Sequence, residues 1–317
     1  LKEGAFDYIM KPFTPDELEL AVTRALERER IAQENKYLRA ELNNRYDFSA
    51  MIGSSEAMQR VYEQIQKVAD SRATVLIRGE SGTGKELVAR AIHYSGGRRD
   101  RPFIKVNCAA LSAGLLESEL FGHEKGSFTG AHERKIGRFE LADSGTLLLD
   151  EVSEIGIELQ PKLLRALQER EFERVGGSTP IKVDTRIVCT TNLNLEDAVE
   201  KGQLREDLFF RLNVIPVVLP PLRERKEDIP ALMDCFLKRY VQENNRPITG
   251  FAPETVELFT EYEWPGNVRE LQNVVERAVV LSSARVLGPE HFFFGPSRSN
   301  RTNGNAVSVR IGTTVGE

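Results

Sequence analysis

The chain has 317 residues and a net charge of −5, from 43 lysines and arginines against 48 acidic residues. Its length leaves room for about two domains of ordinary size, and its 40% hydrophobic content is that of a folded globular protein. The acidic balance argues against a chain that wraps nucleic acid, and three prolines in the longest apolar stretch, residues 214–222, exclude a membrane span there.

The first 45 residues predict two different segments. Residues 1–13 are too short to fold alone and end beside the stop signal Lys11-Pro12. Residues 14–42 predict an amphipathic helix with apolar residues at three- or four-residue steps, which Asn43-Asn44 ends. Such a helix is either a solvated spacer or a helix that pairs with a second copy, and the pattern leaves both open. Since the chain lacks an initial Met and a signal sequence, we expect a piece of a longer cytoplasmic protein.

A turn and a helix at residues 52–68 lead into an apolar run at 74–78, which predicts a buried strand before a glycine-rich loop. The loop glycines let backbone amides turn toward one anion, and the helix predicted at 87–92 adds the positive end of its dipole. Lys85 supplies a mobile charge for outer phosphates. The stretch therefore predicts a site for a nucleoside triphosphate, formed by Gly79, Glu80, Ser81, Gly82, Thr83, Gly84, Lys85 and Glu86.

Glu86 departs from the P-loop pattern, in which a serine or threonine after the lysine lends its hydroxyl to magnesium. Either the loop is not a working phosphate site, or the chain belongs to a subgroup that holds the metal by other groups. The stretch by itself leaves both alternatives open.

Three further apolar runs predict buried strands that end in polar residues. These runs are 102–107 ending in Asn107, 145–151 ending in Asp150 and Glu151, and 186–192 ending in Asn192. Ligands gather at the carboxyl ends of parallel strands, so we expect these side chains near the nucleotide. Asp150 and Glu151 have the form of the acidic pair of P-loop ATPases, in which the first carboxylate serves magnesium and the second polarises the attacking water. For Asn107, helix capping is an equal alternative.

Two glycines bracket Phe128 in a polar stretch that has neither strand alternation nor helical period. One alternative is a tight hairpin in which Phe128 folds back. The other is a mobile loop that offers an exposed ring and a hydroxyl to a partner. The residues of this candidate loop are Gly126, Ser127, Phe128, Thr129, Gly130 and Ala131.

Helical patterns at residues 157–172 and 196–201, with a fifth strand at 214–219, complete the predicted α/β part. Arg205 and Arg211 precede that strand. On one regular helix they point about 240° apart, so they cannot meet the same phosphate unless the helix ends between them or their tasks differ.

From residue 226 onward the patterns are helical only, and a domain boundary is predicted near Pro220-Pro221. The three predicted helices span residues 228–245, 253–262 and 267–282. Asn267 is expected to cap the third helix, which leaves Arg269 near its beginning. Cys108, Cys189 and Cys235 are expected to be core residues of a protein from a reducing compartment.

Four stretches together resemble the AAA+ ATPase module of the sigma-54-dependent transcription activators, the NtrC class of bacterial enhancer-binding proteins. They are residues 79–86, 126–131, 150–151 and 264–269, and the resemblance runs from about residue 51 to 294. In that family the P-loop ends in Lys-Glu, so Glu86 fits a working site. The family loop usually reads Gly-Ala-Phe-Thr-Gly-Ala, and here Ser127 replaces its first alanine. Residues 1–13 resemble the end of a response-regulator receiver domain.

The resemblance implies a parallel P-loop AAA+ sheet flanked by helices, followed by a small all-α lid domain. The implied boundaries are a receiver end at 1–13, a helical linker at 14–45, an ATPase subdomain at 46–221, a lid at 222–294, and a linker at 295–317 to a DNA-binding domain outside this chain.

The resemblance also implies a role for each candidate residue. Lys85 and the loop amides bind ATP phosphates, Asp150 serves Mg²⁺, Glu151 serves the water, and Asn107 holds Glu151 in the idle site. The remaining assignments are Ile52 and Gly53 beside the adenine, Asn192 and Arg269 as first and second sensors, Arg205 and Arg211 toward the neighbouring subunit's nucleotide, and residues 126–131 as the sigma-54 contact.

The implied function is ATP-driven remodelling of sigma-54 RNA polymerase as the output of two-component signalling. The implied partners are sigma-54, further copies in a hexameric ring, a second copy in an idle dimer, and DNA through another domain. Two alternatives remain: a nucleotide-binding scaffold without useful hydrolysis, and a generic AAA+ machine such as a helicase or chelatase subunit. The loop at Phe128, which those machines lack, weighs against the second.

Overall fold

The computed structural model describes residues 51–292, together with residues 14, 15 and 18. The predicted receiver end, most of the predicted helix at 14–42 and the predicted linker at 295–317 lie outside the described residues. Between Pro220 and Pro221 the chain divides into two compact units. Within the described part of the chain, none of the helices has the length and apolar character that a membrane span requires.

The first unit alternates helices and strands. In chain order these are α1 (Glu56–Val68), β1 (Val75–Arg78), α2 (Lys85–Tyr94), β2 (Phe103–Asn107), α3 (Ala113–Phe121), β3 (Gly122–His123), β4 (Lys135–Ile136), α4 (Arg138–Leu141), β5 (Thr146–Asp150), α5 (Gln160–Glu169), β6 (Glu171–Phe172), β7 (Ile181–Lys182), β8 (Arg186–Thr191), α6 (Leu195–Glu200), α7 (Glu206–Leu212) and β9 (Ile215–Val218).

Five strands form one parallel sheet in the order β2-β5-β8-β1-β9. The central strands are apolar without alternation because both faces of a parallel sheet are covered by helices. Leu147 and Leu149 of β5 pack into the core on one face of the sheet, whereas Leu148 belongs to the core on the other face, with Ile65 and Ile92 of the helices. This order places the carboxyl ends of β1, β5 and β8 side by side, which is where the polar residues stand.

The second unit consists mainly of α8 (Ile229–Asn244), α9 (Pro253–Glu261) and α10 (Asn267–Leu281). A short parallel pair, β10 (Gly250–Phe251) and β11 (Val286–Leu287), also belongs to it. Trp264 is fully buried, and its indole N–H donates to the Phe259 carbonyl at 2.7 Å. The predicted class, a parallel sheet flanked by helices and then a helical domain, is confirmed; the two-residue strands were too short to leave a sequence signal.

Three local predictions were wrong. The helix expected at 157–172 is shorter, because Pro161 lies in the first turn of α5 and Arg170 takes a left-handed conformation at its end. Asn267 is not a cap: Gly266 holds that position, while the buried Asn267 side chain accepts the Leu222 N–H at 2.8 Å. Cys235 is exposed on α8 and is not a core residue.

Candidate nucleotide site and partner loop

The loop between β1 and α2 brings Lys85 to the carboxyl edge of the sheet. Gly84 precedes α2 with φ of 102°, a conformation that glycine adopts without steric cost. The Lys85 ammonium is only 7% exposed and donates to the carbonyl oxygens of Gly79 at 2.9 Å and Glu80 at 3.2 Å. Because the first N–H groups of a helix have no partner inside it, the loop offers amides and a cation to one anion.

Glu151 faces Lys85 from the end of β5. One Glu151 carboxylate oxygen lies 3.6 Å from the Lys85 Nζ, and the other accepts the backbone N–H of Asn192 at 3.2 Å. The Glu151 backbone is left-handed, with φ and ψ both 56°, which costs a non-glycine residue about 1–3 kcal/mol. Such strain is typical of residues whose side chain must be presented in one direction, so Glu151 fits the role of a catalytic carboxylate.

Asp150 is held on both of its carboxylate oxygens. The Thr190 hydroxyl donates to Oδ1 at 2.6 Å, and the Lys105 ammonium lies 2.9 Å from Oδ2. Thr190 is fully buried and also accepts the Glu151 N–H at 3.0 Å, so one hydroxyl positions both acidic residues. Sequence reasoning missed this threonine, although it lies in the polar end of a predicted strand.

Lys105 also contacts Glu86. The sequence marked Glu86 as a departure from the P-loop pattern but indicated no partner for it. The Lys105 ammonium lies 2.7 Å from Glu86 Oε2, and Arg90 donates to Glu86 Oε1 at 3.1 and 2.9 Å. Burial raises the pKa of Glu86, but the hydrogen bonds from Lys105 and Arg90 outweigh it and hold that pKa below its usual value. Burial lowers the pKa of Lys105, yet its bonds to Glu86 and Asp150 raise it overall. The only hint of these contacts in the sequence was that Lys105 is a single lysine inside the apolar run 102–107.

The other candidate residues make fewer contacts with the charged residues described above. Asn107 lies opposite Asp150 in the sheet, and its side-chain oxygen accepts the Ala109 N–H at 2.9 Å, the capping alternative. No hydrogen bond joins it to Glu151 in the described part of the chain, so the predicted contact stays a prediction. Ile52 and Gly53 precede α1, and the exposed Arg269 lies on α10 of the second unit; their predicted ligand contacts also remain predictions.

The two arginines differ in their surroundings. Arg205 precedes α7 with an extended backbone and forms an exposed ion pair with Asp207 at 2.7 Å. Arg211 lies inside α7, and its guanidinium donates to the Leu167 carbonyl at 3.2 and 2.8 Å. One end of the helix therefore lies between the two arginines. The separation of about 240° expected on a single regular helix does not apply to them.

The candidate partner loop is a short hairpin with a half-exposed ring. Gly126 N–H donates to the Ala131 carbonyl at 2.8 Å, and Ala131 N–H donates to the Phe128 carbonyl at 3.0 Å. The Phe128 ring is 43% exposed and meets His123 edge-on, with 4.9 Å between the ring centres. Features of both alternatives are therefore present: the hairpin bonds form, and the ring stays accessible.

The segment 174–177 supports this loop. Glu124 N–H donates to the Val175 carbonyl at 3.0 Å, and Arg174 forms an ion pair with Glu124 at 2.9 Å. A Cβ added at Gly176 would lie 2.5 Å from the Ser127 Cβ, so only glycine fits there. The Ser127 hydroxyl is buried and has no hydrogen-bond partner among the described residues.

The donor set at the carboxyl edge suits a hard cation held together with phosphates. Asp150 and Glu151 offer oxygen ligands only, which Mg²⁺ prefers. Across the residues that the structure describes, no three His, Cys, Asp or Glu side chains form a metal cage. Mg²⁺ usually binds through one or two carboxylates plus substrate phosphates, and Asp150 and Glu151 supply carboxylates of that kind.

A parallel sheet with a glycine loop after β1, a buried lysine at the start of α2 and two carboxylates after β5 defines the P-loop class of nucleoside triphosphate-binding proteins. The chain matches the sigma-54 interaction domain over residues 51–218 and the AAA+ ATPase lid domain over residues 223–307. It belongs to the sigma-54 interaction domain family, as its motifs predicted.

Several characterised proteins are similar to this chain. The regulatory protein AtoC of Escherichia coli is 54% identical over 92% of this chain and 63% of its own length. The nitrogen fixation protein AnfA of Azotobacter vinelandii is 52% identical over 93% of this chain and 55% of its own. The crystal structure of NtrX from Brucella abortus in complex with ATP is 39% identical, with a TM-score of 0.73, over 92% of this chain and 66% of that one. The chain thus spans about half to two-thirds of the length of these relatives.

Proposed function

We propose that this chain is the ATP-hydrolysing module of a transcription activator that remodels sigma-54 RNA polymerase in two-component signalling. The observation that carries the proposal is the meeting of Lys85 and Glu151, 3.6 Å apart at the carboxyl edge of the sheet. Membership of the sigma-54 interaction domain family and the likeness to NtrX in complexes with ATP and with ADP support it. Residues 46–221 would form the ATPase subdomain and 222–294 the lid.

The chemistry follows from what each side chain touches. Lys85 and the loop amides bind the β- and γ-phosphates, and Glu151 accepts the proton of the water that attacks the γ-phosphorus. The bond from that phosphorus to the β–γ bridging oxygen breaks, which yields ADP and phosphate. Asp150 would hold Mg²⁺, which supplies positive charge beside the phosphates when bound. Thr190 keeps Asp150 and Glu151 in fixed positions during the step.

The site is completed by a neighbouring subunit in this proposal. Arg205 and Arg211 lie on or beside α7, and an arginine that reaches a neighbour's nucleotide requires head-to-tail contacts, which close into a ring. Such an arginine is worth roughly 10³–10⁵ in rate. Hydrolysis should therefore rise steeply with protein concentration, with a hexamer as the expected assembly.

The partner loop transmits the result. The Phe128 ring rests edge-on against His123 and stays 43% exposed, so a small movement of residues 126–131 changes what the ring presents. We propose that the nucleotide state sets the position of this loop and that Phe128 and Thr129 contact sigma-54. DNA is reached through a domain outside this chain.

Two measurements test the proposal. ATP turnover is followed against protein concentration by phosphate release, beside sedimentation of the same samples; turnover per subunit that does not change with concentration would contradict the shared site. Phe128→Ala should keep turnover and lose open-complex formation at a sigma-54 promoter, whereas Ile157→Ala, which truncates a similarly exposed apolar residue outside the loop, should keep both. Full open-complex formation by Phe128→Ala would refute the role of the loop.

A further inference from the structure

Glu86 brings a negative charge to a place where P-loops carry a hydroxyl. It is the second residue of α2, directly after Lys85, at the helix start where phosphates bind. A carboxylate at this point repels a nucleotide, because like charges a few ångströms apart oppose each other strongly where water is partly excluded. A working loop of this sequence therefore needs a group that cancels the charge of Glu86.

Two cations take up both oxygens of the Glu86 carboxylate. Arg90, one turn later in α2, donates to Oε1 from two nitrogens, and Lys105 of β2 donates to Oε2 at 2.7 Å. The Arg90 guanidinium also lies 5.0 Å from the centre of the Phe103 ring, which fixes it on its other side. The carboxylate is thus directed toward the side chains of β2 and the next turn of α2.

Lys105 contacts a second carboxylate as well as Glu86. Its ammonium lies 2.9 Å from Asp150 Oδ2, so one cation joins Glu86 of the P-loop helix to the first acidic residue after β5. This contact depends on the sheet order, since β2 and β5 are neighbours with Lys105 opposite Leu148. Lys105 has no role among the residues that bind or cleave the nucleotide in the function proposed above.

We propose that Lys105 is a positioning residue that neutralises Glu86 and ties its carboxylate to β2, so that this P-loop binds nucleotide without a hydroxyl after its lysine. The inference rests on the proposed function, because it requires a nucleotide in the loop. The charges of Glu86 and Lys105 cancel. Removing the charge of Lys105 should therefore weaken nucleotide binding, whereas removing the charge of Glu86 should strengthen it. Removing both charges should restore the wild-type affinity.

The test is a fluorescence anisotropy titration of the 317-residue chain with N-methylanthraniloyl-ADP, once with Mg²⁺ and once with EDTA. In EDTA, Lys105→Met should weaken binding about tenfold, the order expected for one uncompensated charge near the ligand. Glu86→Gln should tighten binding several-fold, and the double variant should return to wild-type affinity. The effects should be smaller with Mg²⁺, because the metal neutralises part of the nucleotide charge. Lys105→Arg keeps the charge and should bind as wild type does.

Lys182→Met removes an exposed lysine from β7 and is the matched control, expected to leave affinity unchanged. The inference is overturned if Lys105→Met binds the probe with wild-type affinity in EDTA, or if adding Glu86→Gln to Lys105→Met fails to restore the affinity. It is also overturned if Lys105→Met loses affinity only with Mg²⁺, which would place the effect at Asp150. If Lys105→Met does not fold, as judged by circular dichroism, Glu86→Gln decides the matter: tighter binding in EDTA supports the inference, and unchanged or weaker binding overturns it. Failure of the wild-type chain to bind the probe, with Lys85→Ala indistinguishable from it, refutes the proposed function itself.

Discussion

Replacing Ser127 by alanine should hold the partner loop more firmly in the position seen here. The Ser127 hydroxyl is buried and has no hydrogen-bond partner among the described residues. Its Cβ faces Gly176, where an added Cβ would lie 2.5 Å away. Alanine therefore keeps the packing contact and removes only the polar atom that burial penalises.

The size of the effect follows from that hydroxyl. Burying a hydroxyl without a partner costs about 1–3 kcal/mol. We take the low end, about 1 kcal/mol, because the loop around it is largely exposed. A change of that size shifts the ratio of docked to undocked loop about fivefold toward the docked form.

Amide hydrogen exchange of the segment 122–135 measures this ratio. Ser127→Ala should slow exchange of the loop amides about fivefold, and Ser178→Ala, at an exposed serine directly after the supporting segment, should leave it unchanged. Gly176→Ala should speed exchange, because its side chain would push into Ser127 and its φ of 75° strains any other residue. Unchanged or faster exchange in Ser127→Ala would refute the reasoning, since the hydroxyl would then not oppose docking.

Three other predictions follow from the same geometry. Glu151→Gln should lower phosphate release at least ~100-fold while N-methylanthraniloyl-ADP still binds, since only the proton acceptor is lost; release near the wild-type rate would contradict its role. Thr190→Val removes the hydroxyl that holds Asp150 and Glu151, so kcat should fall more than KM for ATP changes, and a change in KM alone would contradict it. Burial lowers the pKa of His93 to about 4 from 6.5. Between these two pKa values the unfolded chain carries a proton on His93 that the folded chain lacks. His93 therefore contributes stability above pH 6.5 that is lost as the pH falls toward 4, about 2 kcal/mol by pH 5. Urea unfolding at pH 7 and pH 5 should show this loss in the wild type and a smaller loss in His93→Gln; equal losses would contradict it.

The sheet and the acidic pair could be predicted because their signals are local. A short apolar run that ends in a carboxylate indicates the end of a buried strand, and parallel strands bring such ends together. The five predicted strands agree with the observed ones to within a residue at either end. The same logic predicts the two carboxylates near the phosphate loop, and Glu151 lies 3.6 Å from Lys85.

The partners of these residues could not be predicted in the same way. Thr190 contacts Asp150 only because β5 and β8 are neighbours, and Lys105 contacts Glu86 only because β2 lies beside β5 and faces α2. A pairing between residues that are 19 or 40 positions apart depends on strand order, which no local period encodes. The capping role predicted for Asn267 was wrong for a related reason, since its hydrogen-bond partner Leu222 lies 45 residues away in sequence.

In the function proposed above, the two arginines would differ in what it costs to turn them toward a neighbour's nucleotide. Among the residues that the structure describes, Arg205 is exposed and paired only with Asp207, two residues on, and exposed ion pairs contribute little to stability. A neighbouring phosphate can therefore redirect it at small cost. Arg211 instead donates twice to the Leu167 carbonyl near the end of α5, and hydrogen bonds to a charged group are worth about 1.5–3 kcal/mol. Redirecting Arg211 leaves that carbonyl without its donor, so its use in trans requires α5 to adjust. Arg170 and β6 follow α5 directly and lead to the segment 174–177, so an adjustment of α5 in the proposed assembly would also act on the support of the partner loop.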